Sequence, residues 1–262
     1  SLKDVKMKIV GVGKTKQITK AMNMVASAKL RGAQARIERF RPYAGKYRQV
    51  LAELARKVEG TAHPLLAEHE EKKNCAIVLV TSDRGLCGSF NGNIITTALK
   101  LAAEKTNAGM KVTFACMGRK GRDAVRKAGY DISVAYGYET FAFDEVWMVY
   151  GEFVSMGHQP PRTLSLLPLA APEAEAEEGQ EEAHCEYVYE PQEEALLAEL
   201  LPRYIKVQVY RGMLDTSASE HAARMAAMDN ATRNCNEMIN TLTLLYNKTR
   251  QASITSELID IV

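Results

Sequence analysis

The 262-residue chain has no apolar run of the length that crosses a bilayer. A membrane-spanning helix is therefore not expected, and the chain reads as soluble or peripheral. It also lacks a secretion-signal pattern, because residues 1–8 lead straight into an amphipathic repeat. The five cysteines, Cys75, Cys87, Cys116, Cys185 and Cys235, are scattered and odd in number, with no CxxC or Cys/His cluster. They read as reduced, space-filling thiols. The histidines (His63, His69, His158, His184 and His221) are too dispersed for a metal set. No GxGxxG, nucleophile–base pair or paired carboxylates stand out, so neither cofactor, metal nor catalytic residue is expected. Acidic residues are scarce at one end: 3–57 holds many Lys and Arg but only Asp4, Glu38 and Glu53. That segment suits an acidic partner surface or a solvated helix face. A net charge of +2 gives no reason to expect nucleic acid.

Three zones separate by periodicity. In 2–58, Leu2, Val5, Ile9, Val12, Thr15, Thr19, Met22, Ala26, Ala33, Ile37, Phe40, Tyr47, Leu51 and Leu54 recur mostly at steps of three and four. This is one long helix with an apolar stripe. Gly11, Gly13 and Gly32 weaken it, and Pro42 should bend or break it. In 203–262, with Pro202 as a start signal, the stripe is Leu214, Ala218, His221, Met225, Met228, Thr232, Cys235, Ile239, Leu242 and Tyr246. The alternating four–three spacing is a coiled-coil seam. No Gly or Pro follows Gly212, so the helix runs on. The two ends match in length, and the simplest pairing is an antiparallel coiled coil.

The middle zone, 73–201, reads as a Rossmann-like α/β domain. Residues 75–81 and 111–117 are buried-strand runs, and 132–136 is a third strand. Helices are expected over 94–105, 118–128 with Gly129 as stop, and 143–157; 162–169 reads as a strand. The sheet is expected to be mostly parallel. Acidic, low-complexity residues 172–185 read as a flexible insertion. Residues 184–189 alternate as an edge strand would, before a short helix over 192–201. The fold class is thus α/β, with a long antiparallel N-/C-terminal coiled coil (1–60 and 203–262) around a central α/β domain.

GVGKT at 11–15 invites a phosphate-loop reading, but Lys8 stands where that motif needs glycine, and no strand precedes it. The turn at 82–88, SDRGLCG, sits where an α/β sheet places ligands, yet reads better as a tight turn whose glycines take positive φ. The polar run NKTRQASITSE at 247–257 is either a solvated helix end or a hydrogen-bonding patch for partner loops. In it Arg250 offers a forked donor set beside Gln251, with Thr255 about one turn away.

Three blocks resemble the gamma subunit of F-type ATP synthases: TKQITKAMNMVASAKLRGAQ at 15–34 followed by RPYA at 41–44, SDRGLCGSFN at 82–91 with GRKGRDAVRKAGYDI at 118–132, and 218–262. The resemblance covers essentially the whole chain. It implies a non-catalytic central-stalk rotor that couples proton or sodium flow through a membrane c-ring to ATP synthesis or hydrolysis. The implied partners are the alpha and beta subunits, the epsilon subunit and the c-ring. It implies beta-subunit contacts at Arg250, Gln251, Thr255, Met22 and Lys20, and a foot on the c-ring at Tyr187, Tyr189 and Glu190. The implied location is peripheral, on the cytoplasmic face of a bacterial inner membrane. A small nucleotide- or metabolite-binding α/β protein with helical oligomerisation arms, and a coiled-coil adaptor with no rotary role, are the alternative readings.

Overall fold

The computed structural model describes residues 2–57, 72–132, 143–168 and 193–259. Two helices dominate it. Helix α1 spans Leu2–Lys57, 56 residues. Helix α4 spans Glu193–Ile259, 67 residues, on the order of 100 Å of rod. They run antiparallel. Thr19 Oγ1 lies 2.8 Å from Thr232 Oγ1, Asn23 Nδ2 donates to Met225 O at 2.8 Å, and Tyr47 donates to Leu200 O at 2.9 Å. Phe40 meets Tyr210 edge-on and Tyr47 stacks on Tyr204.

The stripe of α1 turns toward α4 with one slip. Thr15 is exposed and Lys16 is half-buried in its place, while Leu30, absent from the expected stripe, is buried. From Val12, steps of three–four and four–three both reach Thr19, so spacing alone does not choose. Helix α1 passes through Pro42 without a break. The lost amide bond is local, and packed aromatics flank it at Phe40 and Tyr47.

Proline 202 does not start the C-terminal helix. It lies inside α4, which begins nine residues earlier, so the short helix expected over 192–201 and the long one beyond are continuous. Leu201 and Tyr204 on either side of Pro202 are buried against the sheet. Their burial, about 2 kcal/mol each, offsets a helix-interior proline that costs about 3 kcal/mol.

Between the helices sits a five-stranded sheet of order β3-β2-β1-β4-β5. The strands are β1 (Asn74–Val80), β2 (Lys111–Met117), β3 (Asp131–Ile132), β4 (Glu145–Gly151) and β5 (Pro161–Leu167). The first four are mutually parallel, and β5 is an antiparallel edge. Helices α2 (Phe90–Asn107) and α3 (Arg119–Lys127) make the crossovers. The helix expected over 143–157 is instead β4 and the loop after it. Within that window Val146–Tyr150 is a short continuous apolar run, and pairing between β1 and β5 decides for strand where periodicity cannot. Gly129 follows α3 at φ 83°, and the Tyr130 amide bonds back to Val125 O, which stops the helix.

Side chains alternate across the sheet. Ile77, Leu79, Phe114 and Val149 meet Phe90, Ile94 and Ala98 of α2 and Val125 of α3. The other face, Ala76, Val80, Val146, Met148 and Tyr150, packs on Leu51 and Leu54 of α1 and Leu201 and Tyr204 of α4. The sheet domain is thereby fixed to one end of the two-helix rod. The acidic stretch at 172–185, Cys185 and the strand expected over 184–189 lie outside the described residues.

Candidate functional site: the rod, its tip and the turn beside it

The seam positions of α4 differ in depth. Ala218 and Met228 are buried, while Leu214, Met225, Cys235, Ile239, Leu242 and Tyr246 are half-buried and alternate with exposed residues. In mid-rod Leu30 packs with Ala33, Ala218 and Ala222 in one buried cluster, with Phe153 from the β4–β5 loop against it.

The Thr19–Thr232 register sets Leu2 opposite Thr249. By that register, residues from Arg250 onward lie beyond the level of Leu2, the first described residue of α1. Every described side chain there is exposed, including Arg250, Gln251, Thr255 and the apolar Ile254, Leu258 and Ile259. Thr255 Oγ1 donates to Gln251 O at 2.9 Å, one turn back, and Arg250 and Gln251 are themselves exposed. Lys20 is exposed and Met22 half-buried on α1. By the same register they sit opposite residues near 230, about 30 Å down the rod from Arg250. The two groups of expected contact residues form separate stations. Tyr187, Tyr189 and Glu190 lie outside the described residues.

At the carboxyl end of β1 the turn closes on itself. Asn91 Oδ1 accepts from Ser82 N at 3.1 Å, and Asn91 Nδ2 donates to Ser82 Oγ at 2.8 Å. Ser82 Oγ also reaches Arg84 O at 2.7 Å, and Asp83 Oδ1 accepts from the Arg119 amide at 2.9 Å. Positive φ falls on Gly88 (59°) and on Leu86 (63°). For a leucine this conformation costs roughly 1 kcal/mol, yet its side chain is 61% exposed. The glycine-turn reading therefore misses the residue at the tip. Its signal is conformational and has no trace in composition. The turn is tied to the rod by Arg224, whose Nη2 donates to Gly85 O at 3.1 Å and pairs with Glu220 at 2.7 Å.

Two buried acids behave in opposite ways. Burial alone would raise the Glu145 carboxyl. Bonds from Lys105, Trp147 Nε1 (2.9 Å) and Lys72 (2.9 Å) outweigh it and lower the carboxyl to about 2. Asp215 on α4 is desolvated and pushed up to about 6; Arg211 at 3.9 Å, Arg41 and Arg162 oppose the rise, and Glu152 adds to it. His221 on the seam is held below its ordinary value by burial, with Arg224, Lys29 and Arg36 adding to the effect against Glu220. Burial raises the Cys75 and Cys116 thiols to about 11, which makes them poor nucleophiles. Among the described residues no His, Cys, Asp and Glu group is placed to hold a metal, and no helix is long and apolar enough to cross a membrane.

A family model described as ATP synthase matches residues 1–142 and 132–262. The ATP synthase gamma chain of Nitratidesulfovibrio vulgaris (strain Miyazaki F) is 62% identical, with 100% of this chain and 97% of the relative covered. That of Maridesulfovibrio salexigens is 58% identical with the same coverage. Among solved structures, the Euglena gracilis mitochondrial ATP synthase OSCP/F1/c-ring structure contains a chain of TM-score 0.64 and 22% identity, with 99% of this chain and 92% of that one covered. A central stalk/c-ring structure from Tetrahymena thermophila gives 0.58 and 24%, covering 82% and 99%. At these identities the structural likeness speaks for the fold.

Proposed function

The chain belongs to the ATP synthase gamma chain family, and from that premise we propose that it is the turning central stalk, a subunit that carries out no catalysis itself. The alpha and beta subunits would surround the helical rod. The epsilon subunit and the c-ring would hold the sheet-domain end, with Tyr187, Tyr189 and Glu190 at the foot. The complex would sit peripherally on the cytoplasmic face of a bacterial inner membrane and couple proton or sodium flow to ATP synthesis or hydrolysis.

The observation that carries this reading is the antiparallel pairing of the long helices α1 and α4 into one rod, docked to the sheet domain at one end. A rod with a lopsided cross-section presents a different face to each surrounding subunit. Each face favours one conformation of its neighbour, and turning the rod moves that preference from one neighbour to the next. The contact stations suit such a task. Arg250, Gln251 and Thr255 at the tip, and Lys20 lower down, are polar or basic groups that would meet carboxylates and loop carbonyls of the beta subunit, and Met22 beside Lys20 would add an apolar contact.

The test is reconstitution with alpha and beta subunits, followed by ATP-driven ion pumping in vesicles. The expected result is a complex that pumps, and a Leu242→Asp chain that assembles poorly or hydrolyses ATP without pumping. A chain that does not co-purify with alpha and beta subunits, or a Leu242→Asp complex that pumps normally, would refute the shaft assignment.

A further inference from the structure

At the end of β4 the sheet runs out of strands. Glu152 N donates to Pro160 O at 3.0 Å, so the backbone groups of residue 152 face β5. By the alternation of an antiparallel pair, those of Gly151 face the other way, toward β1. But β1 ends at Val80, and its pairing with β4 stops at Leu79 opposite Val149. Gly151 is buried just past the last paired residues of β1 and β4, and a buried amide and carbonyl there are costly unless both are bonded.

Helix α4 supplies both partners. Gly151 N donates to Thr216 Oγ1 at 3.3 Å, and Ser219 Oγ donates to Gly151 O at 3.2 Å. The two hydroxyls are three residues apart on one helix face, and both side chains are buried. The fit is tight on both sides. A Cβ on Gly151 would stand 2.4 Å from Phe90 Cε2, and a Cβ on Gly212, one turn before Thr216, would stand 2.8 Å from Met148 Cε. Helix α4 therefore lies directly on β4, where its side chains complete the hydrogen bonding that a strand would otherwise provide.

We propose that Thr216 and Ser219 are positioning residues that key the sheet domain to the rod and fix its angle about the long axis of α4, so that twist applied to the domain reaches the rod without slip. The apolar cluster around Leu51, Leu54, Leu201 and Tyr204 holds the domain on, but apolar burial has no preferred direction. Two hydrogen bonds between one helix face and the two peptide groups that flank one residue do have direction, and they set the angle. The torque-bearing role rests on the rotor reading above. The bonding role does not.

The test uses the assembled complex carrying Ser219→Ala, Thr216→Val or both, with Thr216→Ser as the hydroxyl-retaining control. Two quantities are read: hydrogen exchange of the 150–152 amides, and ions pumped per ATP hydrolysed. Each single loss should speed exchange about fivefold, the factor equivalent to one net hydrogen bond. The double variant should pump fewer ions per ATP, and Thr216→Ser should match the parent in both readouts. Unchanged exchange in the double variant overturns the proposal. Faster exchange at an unchanged pumping ratio overturns the torque-bearing role. If the double variant does not assemble, Ser219→Ala, which removes one oxygen, decides on the same two readouts. A parent complex that fails to pump refutes the rotor reading, while the exchange measurement still decides whether the hydroxyls hold Gly151.

Discussion

The lower and upper halves of the rod are built from the same heptad spacing but differ in what encloses them. Below Ala33 and Ala218, α1 and α4 lie against the sheet, and Leu51, Leu54 and Leu201 are sealed from solvent. Above Thr19 and Thr232, among the described residues, the helices have only each other. Val5, Ile9, Val12, Ile239, Leu242 and Tyr246 are half-buried, while Met7, Val10, Leu244 and Leu245 face outward. Two helices alone cannot cover a full seam. The lower half is thus a folded core, and the upper half is a surface awaiting a surrounding protein.

The difference can be tested by substitution, most strongly in the core. Leu51→Ala should destabilise the chain by about 3 kcal/mol in chemical denaturation, because a sealed site leaves a cavity. Leu242→Ala, in the upper rod, should cost only about 1 kcal/mol in the isolated chain. Equal losses would erase the distinction.

The ion-pair cluster at the base of the sheet comes next. Glu145→Gln should cost about 3 kcal/mol near neutral pH by leaving Lys105 without its buried partner. Glu145 has a folded value of about 2 against an ordinary 4.5. Its contribution is therefore whole above pH 4.5 and lost as pH falls toward 2, and the gap between parent and variant should close over that window.

Asp215 should behave in the reverse sense. Its carboxyl is raised from 3.8 to about 6, so the fold loses stability as pH rises through that window. Asp215→Asn should stabilise the chain by about 2 kcal/mol at pH 7.5, and the gain should vanish near pH 4. A gain independent of pH would mean that shape, not charge, is being relieved. The smallest effect is expected at the strained turn. Leu86→Gly should raise stability by less than about 1 kcal/mol, since glycine accepts positive φ but loosens the unfolded chain.

Much of this was legible in the sequence for a physical reason: long helices are periodic, and periodicity is local. The seam from Leu214 to Tyr246 can be read directly from its spacing, and so can strands β1 and β2 from their β-branched runs. What stayed hidden depends on distant partners. Trp147 and Met148 are strand residues because β1 and β5 flank them. Pro202 sits within a helix because Leu201 and Tyr204 are held by the sheet. Of the candidate contacts, the tip residues at 250–255 could be read as a polar break in the stripe. The Arg224 tie to Gly85 could not, because nothing in either segment's composition announces the other.

One consequence concerns the order of events at the ribosome. Thr19 and Thr232 are 213 residues apart in the chain, yet they touch. Helix α1 emerges first and has no seam partner until nearly the whole chain has been made. Its apolar stripe must wait through synthesis of the entire sheet domain, and long-range pairings of this kind form late and slowly. During that interval the nascent helix is a sticky, basic, amphipathic segment. Protection of α1 by a chaperone, or its early capture by an assembling neighbour, would govern the yield of the finished rod.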